Sequence, residues 1–381
     1  MLREWPIEHL GWWSCLPDRD RRFGQEVALH RTARIPARLY PQRRWTRAKS
    51  WLMDAVWARW AATHLLRMIR EYQPDVIWTI PHLWSVPPLA AVLPQAAVPF
   101  HVSVHDFVDA HGMAERIGPE RCAVFIRQVE DLYAAGTTCD TICAAMAEDF
   151  RQRTSRDADQ ILRAGIEEED FSFLAQKVGT PGPVLRIAYA GSILVEKEFA
   201  LFVAALAVIR PQLPRPVELH LFGSHPFSAY PWFDDQWMRE RGNLAAEPLT
   251  RALRECDWGF SPMSVNDGND RYNRFSFPTK FISYLAAGLP VIVLGHRTSS
   301  VVEMARRYET GVCSEATAVG PLGAALLPAL SDTDPWSRYR EEMLRCARAE
   351  FDAGQMRQQL YRRFSEARKR VFDRKHGLLI P

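Results

Sequence analysis

The strongest constraint on this chain is the alternation of short apolar runs with longer amphipathic ones. In the second half, strand-like segments at Leu185–Tyr189, Val217–Phe222, Trp258–Ser261 and Pro290–Leu294 are separated by helix-like segments, among them Phe199–Ile209 and Thr250–Glu255. The first half shows the same pattern. A long helix over Ala48–Tyr72 precedes a strand at Asp75–Thr79, a strand at Pro99–His105, a helix at Pro119–Ala135 and a strand at Thr141–Cys143. Parallel strands need a crossover between them, so strand–helix alternation predicts a parallel α/β sheet. A turn-rich segment, KVGTPGP at 177–183, interrupts the pattern. With 381 residues and 47% hydrophobic content, the chain can bury two cores. The reading is an α/β chain of two doubly wound, Rossmann-like domains. They cover 1–176 and 184–350, with a last helix over 351–376 returning toward the first domain.

In such sheets ligands sit beyond the carboxyl ends of the strands, and the polar clusters of this sequence fall there. Ala190-Gly191-Ser192 follows one predicted strand, with Lys197 opening the next helix. Gly223-Ser224-His225 follows another, and His105-Asp106 ends a strand in the first half. The stretch FPTKFISYLAAGLPVIVLG (277–295) has the grammar of a short helix, with Pro278 at its first position and Gly288 stopping it. Thr279 and Lys280 then lie at the positive end of a helix dipole. A lysine there is either a solvated surface cation or a ligand for an anion, a phosphate above all.

Composition narrows the class. Seven cysteines without paired short spacings argue against a disulfide framework or a zinc site, and predict reduced thiols in a cytoplasmic protein. Met1–Pro17 lacks the apolar core of a signal peptide. Val76–Ser103, free of Asp, Glu, Lys and Arg, holds five prolines and two histidines and reads as strand, loop, helix and strand, not as a membrane span. The formal net charge is +3, but 13 basic and 3 acidic side chains fall between Arg19 and Arg70, interleaved with Trp45, Trp51, Trp57 and Trp60. That pattern fits either a solvated helix face or contact with an anionic membrane surface, and no nucleic-acid partner is expected. G-x-G-x-x-G, Walker and G-x-S-x-G motifs are missing. The Asp pairs 18/20, 157/159 and 332/334 lie in charged or turn-rich segments, so no metal site is predicted.

Together IAYAGSILVEKEF (187–199), VELHLFGSHP (217–226), RECDWGFSPM (254–263), FPTKFISYLAAGLPVI (277–292) and HVSVHDF (101–107) resemble the GT-B glycosyltransferases, specifically the family-four-type group. The resemblance covers about residues 70 to 320. It implies two Rossmann-like domains facing a cleft. The second would bind a nucleotide-diphosphate sugar as donor substrate, with no cofactor or metal, and the first a sugar or lipid-linked acceptor. The catalytic residues it implies are His105, Lys197 and Lys280, and the donor-binding residues Gly191, Ser192, Gly223, Pro278, Thr279 and Ser283. Asp106 and Asp109 are the carboxylates near His105 in sequence, and the loop 265–276, with Asp267 and Arg271, leads into the phosphate turn. The implied reaction is retaining transfer of a hexosyl-type sugar to a hydroxyl. It would serve cell-surface polysaccharide or glycolipid assembly at the inner face of the cytoplasmic membrane.

The chain also departs from the family. Phe275 and Ser283 occupy the positions of its Glu-x7-Glu pair, and Ser192 that of a basic residue. The opening strand and Gly-rich acceptor loop are not found; the segment from Glu4 to Pro17 offers at best a second strand. A degenerate GT-B protein that binds a sugar nucleotide or a partner without turnover is the alternative.

Overall fold

The computed structural model describes residues 2, 4–15, 27–39, 45–106, 114, 117–179, 182–266 and 271–375. The chain divides into two compact units, Met1–Leu162 with Arg357–Pro381, and Arg163–Met356. The division falls before the turn-rich 177–183 segment. Residues 163–176, expected in the first domain, fold with the second: Arg163 pairs with Glu350 at 3.0 Å, and Ile166 bridges to Asp352.

In the first unit, strands β1 (Gly11–Ser14) and β2 (Leu29–Thr32) form a two-stranded parallel sheet. Strands β3 (Ile77–Thr79), β4 (Phe100–Val104), β5 (Thr138–Thr141) and β6 (Gln160–Ile161) form a second parallel sheet in that order. Among the described residues no strand joins the two sheets. The segment that resembled a second strand is β1. Helix α1 (Ala58–Tyr72) packs on it, and a Cβ added at Gly11 would lie 3.0 Å from the Tyr72 ring. This helix continues from a helical turn at Thr46–Leu52 through a wider π turn at Met53–Trp57, so the long predicted helix is present but not uniform. Helix α2 (Pro119–Ala135) has the predicted bounds, with Pro119 in its first turn and Gly136 just past its end.

One strand was misplaced by sequence. β5 runs over Thr138–Thr141, not Thr141–Cys143, because the charged Asp140 in its middle hides the pattern. Asp140 is fully buried and hydrogen-bonded there. Buried charge is tolerated where partners are supplied.

The second unit is a six-stranded parallel sheet of order β12-β11-β10-β7-β8-β9. Its strands are β7 (Leu185–Ala190), β8 (Val217–Phe222), β9 (Met238–Gly242), β10 (Trp258–Pro262), β11 (Val291–Leu294) and β12 (Gly311–Ser314). Helix α3 (Glu196–Ile209) crosses from β7 to β8, and its Phe202 stacks on Phe260 of β10 with centroids 3.6 Å apart. Phe199, Tyr189 and Trp258 complete a fully buried aromatic layer. Each such side chain contributes about 1.5–3 kcal/mol by burial. Helix α4 (Thr279–Ala286) lies on β10 through Gly259, where a Cβ would fall 2.3 Å from the Tyr284 ring. Pro278 is the residue before this helix, with extended backbone (φ −69°, ψ 119°), and not its first helical residue as expected. Gly288, at φ +68°, is the left-handed residue that ends it.

Helix α5 (Ala353–Lys375) carries the chain out of the second unit and belongs to the first from Arg357. Within the first unit its Phe364 packs near Trp78 and His101, with centroids 6.0 and 5.6 Å apart. Arg363 donates to the Asp159 carbonyl at 2.8 Å.

Candidate functional site

The strand order of the second unit reverses between β7 and β10, which makes their carboxyl ends the natural ligand position. Ladder pairing between these strands is limited to Trp258–Ile187 and Gly259–Ala188. Beyond it the Tyr284 phenol, supplied by α4, takes over. It accepts from Ala190 N at 2.9 Å and donates to the Phe260 carbonyl at 3.1 Å. One buried side chain thus satisfies two backbone groups that the diverging strands leave open, and it ties α4 to both strands at the switch point.

Lys280 extends from the first turn of that helix. Its Nζ donates to the Tyr189 hydroxyl at 3.0 Å, lies 4.1 Å from the Tyr189 ring centroid, and the hydroxyl in turn donates to the Ser192 carbonyl at 2.6 Å. Burial keeps the Tyr189 phenol neutral by raising it. Gly191 adopts φ +108°, and a Cβ built there would be 4.0 Å from Lys280 Nζ. The lysine therefore sits directly beneath the glycine turn after β7. A Cβ at Gly223, after β8, would meet the Gly191 carbonyl at 2.8 Å, so the two turns approach too closely for a larger residue.

No carboxylate pairs with Lys280 among the described residues, and burial pushes its ammonium down to about 7. A helix N-terminus adds positive potential at the same place. The other end of α4 differs: Lys177 donates to the Ala287 and Gly288 carbonyls at 3.2 and 2.6 Å, where the dipole favours a cation.

The remaining residues singled out by sequence divide. Gly191, Gly223, Pro278, Thr279 and Lys280 gather at the switch point, and Ser192 is joined to it through Tyr189. Lys197 is exposed in the first turn of α3. Ser283 turns its hydroxyl onto the Thr279 carbonyl at 3.3 Å, back along its own helix. Phe275 is 1% exposed and packs in the core. Sequence reasoning missed Tyr189, Tyr284, Glu198 and Asn273. Glu198 is buried on α3 and accepts from Val265 N at 3.1 Å. Asn273 brackets Ser264, accepting from its N–H at 3.1 Å and donating to its carbonyl at 3.0 Å. Together they pin the ends of the loop after β10. Asp267 lies outside the described residues. A charged residue inside an apolar helix face, as at Glu198, was the available signal; the two tyrosines looked like ordinary core.

In the first unit, His105 stands just past the end of β4. Its side chain is 28% exposed, and its Nε2 faces Asp140 Oδ1 at 3.8 Å. Burial lowers its pKa, while Asp140 and Asp106 oppose the shift and His101 adds to it. Asp140 Oδ2 is engaged by His101 Nε2 at 2.6 Å and by the Ser103 hydroxyl at 2.9 Å. Trp78 Nε1 donates to Ser103 at 2.7 Å, and His101 Nδ1 meets Thr138 Oγ1 at 2.8 Å. Asp106 is exposed, and Asp109 lies outside the described residues. The Asp pairs have local structural partners: Asp159 accepts from Cys139 N at 2.8 Å, and Asp334 caps a helix through Ser337 N at 3.1 Å. Asp18 and Asp20 lie outside the described residues. No group of three or more His, Cys, Asp or Glu among the described residues is placed to hold a metal ion.

No family model and no curated protein sequence matches this chain. Solved structures do. A sucrose-phosphate synthase from Thermosynechococcus elongatus is 16% identical, over 83% of this chain and 79% of that one, with a TM-score of 0.60. A glycosyltransferase from Rickettsia africae is 14% identical over 90% and 86%, again at 0.60. An E. coli trehalose-6-phosphate structure, bound with UDP-2-fluoro glucose, is 11% identical over 93% and 91%, also at 0.60. The chain has the GT-B fold of these glycosyltransferase structures, built from two Rossmann-like domains. That is the fold the sequence resemblance implied.

Proposed function

We propose that this protein is a glycosyltransferase whose second unit binds a nucleotide-diphosphate sugar at the β7–β10 switch point. The observation that carries the reading is Lys280. It is an ammonium with no carboxylate among the described residues, held by Tyr189 under the Gly191 turn and at the N-terminus of α4. The E. coli structure with this fold holds UDP-2-fluoro glucose, which supports a sugar nucleotide as the anion. In transfer, the bond from the anomeric carbon to the diphosphate oxygen breaks, a bond to the acceptor oxygen forms, and the acceptor hydroxyl gives up its proton. Charge grows on the leaving diphosphate, so Lys280 and the free N–H groups at Thr279 favour the transition state over the ground state. Lys197 is the second cation of this site, and Gly191, Ser192, Gly223, Pro278 and Ser283 border the donor. We assign His105 to the acceptor side, and the reaction as hexosyl transfer that retains anomeric configuration without a metal.

The acceptor class we propose is a sugar or lipid-linked hydroxyl at the inner, anionic face of the cytoplasmic membrane, in cell-surface polysaccharide or glycolipid assembly. Support comes from the helical stretch 46–72, where Trp51, Val56 and Trp60 are 60%, 60% and 49% exposed. Arg47, Arg59, Arg67 and Arg70 share its solvent-facing side, a combination suited to a headgroup layer. No helix among the described residues is long and apolar enough to cross a membrane.

Calorimetry with UDP, GDP, ADP and TDP and their glucose conjugates tests the donor reading, with Lys280→Ala beside the native chain. Binding of one nucleotide, lost in the variant, is the expected result. No binding to any of them would overturn it. Phe275 and Ser283, neither able to act as a carboxylate, favour a second reading: nucleotide binding without turnover. Release of nucleotide diphosphate in the presence of anionic vesicles separates the two.

A further inference from the structure

The Asp140 carboxylate is fully buried, yet only one of its oxygens is used. Oδ2 takes both hydrogen bonds, from His101 and Ser103, while Oδ1 has no partner among the described residues. His105 Nε2 is likewise buried and unpartnered, and it faces Oδ1 across 3.8 Å. A buried acceptor left empty is destabilising, and more so when it is charged. A movement of roughly 1 Å brings this pair to ordinary hydrogen-bond distance.

We infer that Asp140 is a positioning residue for His105: its Oδ1 is the acceptor for Nε2–H, which fixes the ring's tautomer and leaves Nδ1 as the nitrogen free to meet a ligand. The inference rests on the reading of His105 as an acceptor-side residue. In the neutral ring Nδ1 then carries a lone pair, suited to a hydroxyl donor. The network behind the carboxylate, Trp78 to Ser103 and Thr138 to His101, holds it rigid across three strands. The other ionisable groups around the ring are His101 on β4 and Asp106, which itself faces His82 at 3.8 Å.

A merely structural Asp140 would tie β4 to β5 and leave no mark on His105. Long-range 1H–15N NMR of the ring, assigned with His105→Asn, reads the difference without substrate. The native chain is expected to carry the neutral proton on Nε2. Asp140→Asn is expected to lose that preference and lower the His105 midpoint by about one pH unit. Ser103→Ala, which removes a donor from Oδ2 only, leaves both unchanged. A neutral proton on Nδ1 in the native chain overturns the inference, and so does a folded Asp140→Asn with His105 unaltered. Should Asp140→Asn not fold, the native tautomer alone decides. Nucleotide calorimetry is independent of this result, so failure of the donor reading and failure of the Asp140–His105 pair are told apart.

Discussion

Lys177 and Lys280 sit at opposite ends of the same eight-residue helix, and burial lowers the pKa of both, to about 8 and about 7. Lys177 has two carbonyl acceptors and the negative end of the dipole, and Asp257 supports its charge. Lys280 has one phenol oxygen and the positive end of the dipole. The same side chain caps carbonyls in one place and, on the donor reading proposed above, meets an anion in the other. What separates them is whether the described residues supply a counter-charge.

The sharpest way to break this comparison is Lys280→Met. Affinity for the nucleotide that binds the native chain should fall on the order of 100-fold, about 2.7 kcal/mol, while thermal stability stays level or rises. Calorimetry and a melting curve check both halves. A pH series refines it. The folded pKa lies below the unfolded one, so the folded chain binds fewer protons between about pH 7 and pH 10.5, and stability contributed by this group rises with pH across that window. Anion binding runs the other way. It favours the charged amine, so affinity should decline above about pH 7, with proton uptake visible in buffers of different ionisation enthalpy. Lys280→Met should abolish that uptake; an unchanged uptake would place the titrating group elsewhere.

Next in size is Tyr284→Phe, which orphans Ala190 N and the Phe260 carbonyl and should cost about 2 kcal/mol in chemical denaturation. Lys177→Met should lower stability by about 1–2 kcal/mol and leave nucleotide affinity nearly untouched, the mirror image of Lys280→Met. The smallest expected effect is Tyr189→Phe. It cuts the link from Lys280 to the Ser192 carbonyl and should weaken nucleotide binding about tenfold with little change in melting temperature.

How much of this could be read from the chain varies with the kind of signal. The strands at Val217–Phe222 and Trp258–Pro262 and the helix at Pro119–Ala135 are local patterns, with apolar runs bounded by glycine, proline and charge. They emerge from sequence nearly in register. β5 does not, because a charge at its centre makes sense only once His101 and Ser103 arrive from the neighbouring strand. The division between the units was also missed. A turn-rich composition marks a bend, whereas the unit boundary depends on where Arg163 and Ile166 find partners nearly 190 residues away.

By itself, then, the sequence determined the parallel α/β alternation, the glycine turns and the lysine at a helix start, because backbone propensity and periodicity act over a few residues. Only the tertiary structure decided that, among the described residues, Lys280 would have a tyrosine and no carboxylate, that Tyr284 would complete the diverging strands, and that Asp140 would face His105 with an oxygen those residues leave unused. Those outcomes depend on which distant side chains share a buried space, where a missing or supplied partner is worth several times what it is worth in water.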